Sequence, residues 1–178
     1  MNIKIGILSD THHELQGAKR VIDLFVQNGC DYILHAGDIV EKQVLDYLKD
    51  SNITYVCVLG NNDNHLIKHM KDYNLFAEPY SLKIQDISIK IMHHPYYLFP
   101  QDSDITIYGH THTQICEKTS STLFLNSGEV CARNGNFSQA MILKVKTNKY
   151  VVCEYQRHIG SDEWNVSKKV FKNKGAEQ

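Results

Sequence analysis

Apolar positions in the first part of the chain switch between two periods. Ile3 to Leu8 is a short, nearly continuous apolar run, the pattern of a strand buried on both faces. Leu15, Ala18, Val21, Ile22 and Phe25 then recur at the spacing of one helix face, which stops at Asn28-Gly29. Asp31 to Ala36 reads as a second strand closed by Gly37-Asp38. Val44, Leu45, Tyr47 and Leu48 mark a second helix, and Ile53 to Leu59 a third strand that runs into Gly60-Asn61-Asn62-Asp63. This β-α-β-α-β succession predicts a parallel sheet with right-handed crossovers.

The second part changes character. Tyr80–Ile84 and Ile87–Met92 alternate apolar and polar residues across Gln85-Asp86, the pattern of a hairpin with one wet face. The second run ends at His93-His94-Pro95. Ile105–Tyr108 delivers Gly109-His110-Thr111-His112, and Thr122–Leu125 precedes Asn126-Ser127-Gly128. Ala140–Val145 and Tyr150–Tyr155 form a final hairpin across Thr147-Asn148-Lys149. A second, mostly β layer packed on the first sheet is expected. Residues 1–159 read as one domain, and 160–178 as a polar tail docked through Trp164.

The polar residues at the strand exits carry the chemistry. In an extended segment, residues i and i+2 point to the same side, so His110 and His112 put two imidazoles side by side. Asp10 and His12, Asp38, Asn61 and His93 also follow predicted strands. In open parallel sheets, ligands bind outside the carboxyl ends of the strands. A lone Asp after a strand is ordinarily a turn former, but successive polar clusters at successive strand ends exceed what turn chemistry needs. Seven oxygen and nitrogen ligands are too many for one first-row ion. They suit two ions about 3.5–4 Å apart sharing a carboxylate. With no thiolate in the set, the ligands favour Mn²⁺, Fe, Zn²⁺ or Ni²⁺ over a structural cysteine–zinc site and do not choose among these ions.

Composition narrows the picture further. A net charge of −1 gives no electrostatic reason to expect duplex DNA or an anionic membrane as partner. No apolar run approaches bilayer length, and the N-terminus turns polar too soon for a signal peptide. The five cysteines are scattered and never form C-x-x-C, which reads as buried thiols in a reducing cytoplasm.

The order Asp10-x-His12, Gly37-Asp38, Gly60-Asn61, His93 and Gly109-His110-x-His112 resembles the calcineurin-like metallophosphoesterase superfamily. The chain looks most like its small bacterial and archaeal phosphodiesterase branch, which includes the retromer subunit Vps29. The resemblance implies an α/β fold, a two-sheet α/β/β/α sandwich. It implies a first metal on Asp10, His12 and His112, a second on Asn61, His93 and His110, and Asp38 as the bridge. Asp38, Asn61 and His93 then serve catalysis, with a hydroxide held between the ions as nucleophile. Asn62, His94 and Arg133 are expected at the substrate, a small phosphodiester. Phosphomonoesterase or nucleotidase activity and a non-catalytic Vps29-like scaffold are the alternatives. No stable nucleic-acid complex is expected, and homo-oligomerisation is left open.

Two departures from the pattern stand out. Many members carry histidine after the third-motif asparagine; here Asn62 fills that slot and has no proton to give near neutral pH. His13, His65 and His94 are the local candidates to replace it. The usual His-Gly is His93-His94, and the ligand is assigned to His93 because it directly follows the strand. Asp63 is expected to cap the next helix or to orient a ligand. His35 is read as packed inside, His69 and His158 as surface residues.

Overall fold

The computed structural model describes residues 2–173. β1 (Asn2–Leu8), α1 (Leu15–Gln27), β2 (Tyr32–His35), α2 (Lys42–Asp50) and β3 (Thr54–Val58) follow the expected succession. A 3₁₀ helix at Asn64–His69 and β4 (Leu75–Phe76) come next, both too short to leave a periodic signal. β5 (Tyr80–Ile84) and β6 (Ile87–Ile91) make the first hairpin. β7 (Ile105–Tyr108), β8 (Gln114–Lys118) and β9 (Leu123–Ser127) follow, then the long pair β10 (Phe137–Lys146) and β11 (Lys149–His158), and finally β12 (Asn165–Lys172).

Two mixed sheets stack face to face. The seven-stranded sheet runs β12-β11-β10-β1-β2-β3-β4, and the five-stranded one β5-β6-β7-β9-β8. Pairing of β1 with β2 and of β2 with β3 is parallel, as the crossovers require. The last hairpin does not build the second layer. Instead β10 pairs antiparallel with β1, Ile5 opposite Leu143, and makes β1 a central strand. Alternate residues of β1 explain this. Ile3, Ile5 and Ile7 face the core between the sheets, together with Leu143, Ile91 and Ile107, whereas Leu8 joins Ile142 and the helices on the other side.

Val21, Phe25, Val44, Leu45 and Leu48 of α1 and α2 are buried in that second core, on the outer face of the seven-stranded sheet. Each fully buried side chain of this kind contributes about 1.5–3 kcal/mol. The outer face of the five-stranded sheet carries Ser81, Lys83, Ser88 and Lys90 in register and no helix covers it among the described residues. The stretch from Gly160 is more than a docked tail. Trp164 packs on the helix-side core and β12 pairs along β11, Val151 opposite Val170. Its residues are mostly exposed, so no alternation marks the strand in sequence. Residues 174–178 of the predicted tail lie outside the described residues.

A candidate metal centre at the strand ends

Each predicted ligand lies just past the end of β1, β2, β3, β6 or β7, where the carboxyl ends of parallel strands from both sheets converge. Backbone hydrogen bonds tie these exits together: Asp10 N to Gly37 O at 3.0 Å, His12 N to Asp38 O at 3.1 Å, Gly109 N to His93 O at 3.1 Å. The approach leaves no room at two glycines. A Cβ on Gly109 would lie 2.4 Å from Ser9 Oγ, and one on Gly60 2.3 Å from Asp38 N. Asp10, His12, Asp38, His110 and His112 all have φ between 46° and 67°, in the left-handed region. Such a conformation costs a non-glycine residue about 1–2 kcal/mol, so the fold holds its polar cluster against local preference.

The side chains divide into two lobes around Asp38. In the first lobe, His112 Nε2 is 3.2 Å from Asp10 Oδ1, and His12 Nε2 is 3.9 Å from the same oxygen and 3.6 Å from Asp38 Oδ2. Asp10 Oδ1 and His12 Nε2 are buried with no hydrogen-bond partner, which is expensive unless a cation lies between them. In the second lobe, Asn61 Oδ1 lies 3.1 Å from both His93 Nε2 and His110 Nδ1, and His93 Nε2 is 3.5 Å from Asp38 Oδ1. Asp38 thus turns one oxygen to each lobe. Lone pairs converging in both lobes are the donor set of a divalent cation, and they fit one.

Neighbouring residues fix these orientations. His93 Nδ1 donates to Ala36 O at 2.9 Å, leaving Nε2 for the cluster. His112 Nδ1 pairs with Glu129 Oε2 at 2.5 Å and likewise frees Nε2, the carboxylate–histidine arrangement that orients metal-binding imidazoles. Asp63 is buried and accepts from the amides of Ile39, Val40 and Gly60, joining the Asp38 and Asn61 loops; its side chain caps no helix. Glu78 accepts from the amides of His93 and His94 and from His94 Nδ1 at 2.6 Å. Cys131 Sγ lies within 4.8 Å of ligating atoms of His12 and His112. Burial pushes its thiol up to about 12, so it stays protonated.

Residues 3–148 match the profile of the calcineurin-like phosphoesterase superfamily domain. The chain belongs to that superfamily. It is 28% identical over 160 residues to phosphodiesterase MJ0936 of Methanocaldococcus jannaschii, covering 83% of this chain and 96% of that one. Phosphodiesterase YfcE of Escherichia coli is 22% identical over 152 residues, 75% of this chain and 82% of its own. Among solved structures, vacuolar protein sorting 29 from Cryptosporidium parvum superposes with a TM-score of 0.80 at 21% identity, covering 97% of this chain and 99% of that one, and shares the fold.

In this superfamily member the slot after the third-motif asparagine is filled in its own way. Asn62, expected at the substrate, gives its Nδ2 to Asp38 Oδ2 at 2.7 Å and its amide to Asp38 Oδ1 at 3.0 Å. Burial raises the Asp38 carboxyl, but the His93 ring 3.5 Å away and the two hydrogen bonds from Asn62 outweigh it and hold the group below the ordinary carboxylate range. His112 is raised to about 9, chiefly by Asp10 and also by Glu129, against burial. His12 is lowered chiefly by burial, and the charge of the exposed Arg133 acts in the same direction. His94 sits at the rim, its ring 4.5 Å from His110 and stacked on Tyr96 at 4.8 Å. The other two replacement candidates are engaged elsewhere, His13 with Glu41 and His65 with Val40 O, both at 2.6 Å. His35 is buried beside Thr11 Oγ1, and Tyr96, Tyr97 and Phe99 are exposed.

Proposed function

We propose that the chain is a phosphodiesterase that binds two divalent cations and hydrolyses a small phosphodiester. The observation that carries this reading is the Asp38 carboxylate, which offers one oxygen to each of two clusters of converging lone pairs. Asp10, His12 and His112 would hold one ion, Asn61, His93 and His110 the other, with Mn²⁺ the first choice ahead of Ni²⁺, Zn²⁺, Fe and Mg²⁺. Such a pair, when bound, supplies Lewis acidity to the phosphoryl oxygens and makes water a nucleophile near neutral pH.

The protein's own residues do the remaining work. Asn62 holds Asp38 ionised and oriented between the two lobes, where it would serve both ions. Arg133, whose charge bears on His12, would take a non-bridging phosphoryl oxygen. Proton delivery to the leaving group falls to His94, because Asn62 cannot provide it. His94 Nδ1 is paired with Glu78, so Nε2 is the atom that gives the proton. Five free cysteines fit a reducing cytoplasm. The test is turnover of bis-p-nitrophenyl phosphate and p-nitrophenyl phosphate by metal-stripped protein with Mn²⁺ restored. Diester turnover that requires the ion and is lost in Asp38→Asn is expected. Preference for the monoester would assign a phosphatase. Metal-dependent turnover of neither ester would favour the protein-binding scaffold, the reading the shared Vps29 fold allows.

A further inference from the structure

A cleft of about 420 Å³ opens at the start of α1, on the helix side of the β10–β11 hairpin, and none of the predicted metal ligands lines it. Ser138 and Arg157 are directly opposite each other in that hairpin, so both side chains point to the same face. They are 1% and 6% exposed, and Ser138 Oγ and Arg157 Nε have no hydrogen-bond partner. Arg157 Nη1 donates only to main-chain oxygens, to Ser161 at 2.8 Å and His158 at 3.3 Å. Among the described residues no carboxylate forms an ion pair with it. Asp162, already paired with Arg20, acts on it only at a distance, and a buried guanidinium with no carboxylate in direct contact is a costly arrangement in a protein interior.

The other walls of the cleft have the same polarity. Arg20 lines it and pairs at its exposed edge with Asp162. The first turn of α1 also lines it, at Gln16 and Gly17. No side chain caps that turn and no acidic residue lies within it. Helix starts of this length favour anions through their free amides and macrodipole. Glu14, the one carboxylate among the lining residues, is exposed.

We propose that this cleft is an oxyanion site that takes a phosphate group, held by the Arg157 fork, the Ser138 hydroxyl and the α1 amides. Donors supplied by three separate elements, β10, β11 and α1, suit a tetrahedral acceptor better than a planar carboxylate, which a guanidinium fork alone can satisfy. The site is separate from the metal centre but adjoins it. Val130 and Cys131 form part of its wall, and their amides donate to Ser9 O and Asp10 O at 3.1 Å.

A built-in reporter makes the proposal testable without reference to activity. Trp164 is the single tryptophan, and the Arg157 guanidinium lies 5.6 Å from its ring centroid. Inorganic phosphate is titrated into the full-length chain at constant ionic strength while Trp164 emission is recorded, with chloride and acetate in parallel. A saturable change specific to phosphate is expected. Ser138→Ala should weaken it about fivefold, the worth of one hydrogen bond. Arg157→Lys should weaken it about tenfold or more, by loss of the fork. Asp38→Asn should leave it unchanged. Thermal unfolding checks each variant, and Arg20→Gln stands in if Arg157→Lys fails to fold. An equal response to chloride or acetate, an unaltered affinity in Ser138→Ala, or loss of the response in Asp38→Asn would overturn the proposal. The last result would locate the signal at the metal centre and leave the phosphodiesterase reading intact.

Discussion

Replacing Glu129 by glutamine separates charge from shape at the first lobe. The side-chain oxygen of the introduced amide can still accept from His112 Nδ1, so the tautomer that presents Nε2 survives while the negative charge does not. His112 is raised from 6.5 to about 9 in the metal-free protein, equivalent to about 3 kcal/mol in favour of positive charge at that ring. Asp10 supplies the larger part. Losing the Glu129 charge should then weaken the site about tenfold toward a cation that takes the proton's place. This sits at the lower end of the roughly 10–100-fold effect typical of residues that orient metal-binding histidines. The sign with pH also follows. A cation must displace the His112 proton, so apparent Mn²⁺ affinity should rise with pH toward about 9 in the wild type. In Glu129→Gln it should level off at a lower pH. Isothermal titration of Mn²⁺ into metal-stripped protein measures both. Two sites each within twofold of wild type, with an unmoved pH dependence, would rule out this role for Glu129.

Further outcomes can be checked with the same protein. Gly60→Ala forces a Cβ to 2.3 Å from Asp38 N, and should cost about 1–3 kcal/mol in thermal unfolding and abolish binding at both lobes. Asn62→Ala removes the 2.7 Å bond to Asp38 Oδ2 and should lower Mn²⁺-dependent diester turnover about tenfold, read from kcat/KM. Burial holds His35 down to about 3, so folded protein excludes a proton that the unfolded chain binds below about 6.5. Its contribution is complete above about 6.5 and is lost at about 1.4 kcal/mol per pH unit as pH falls toward 3. Urea melts of wild type and His35→Gln should therefore converge as the pH is lowered, and parallel curves would contradict the assignment. Glu78→Gln should cut turnover of a diester with a poor leaving group more than one with a good leaving group, if His94 delivers the proton.

The sequence pattern puts Asp10, His12, Asp38, Asn61, His93, His110 and His112 at strand ends, and the structure brings all seven around one point. Strand exits are local features, set by apolar runs and the short residues that end them. Partners contributed from afar are less legible. Glu129 reaches His112 across 17 residues and Glu78 reaches His94 across 16, and each looks like an ordinary loop carboxylate in sequence. Asp63 is visible as a residue that orients its neighbours, though the amides it holds lie as far off as Ile39. Sheet order is hidden for a similar reason. The alternation of Ala140–Val145 announces a strand but does not say that it pairs with β1 rather than joining the second sheet. β12 escapes because an exposed edge strand needs no apolar face.

Whether Asp38 bridges two cations can be seen by anomalous diffraction from Mn²⁺-soaked crystals. Two manganese peaks about 3.5–4 Å apart are expected, one beside Asp10, His12 and His112 and one beside Asn61, His93 and His110, with an Asp38 oxygen on each. A single fully occupied peak that leaves Asn61 and His110 without an ion, in crystals of protein active on the diester, would contradict the bridge.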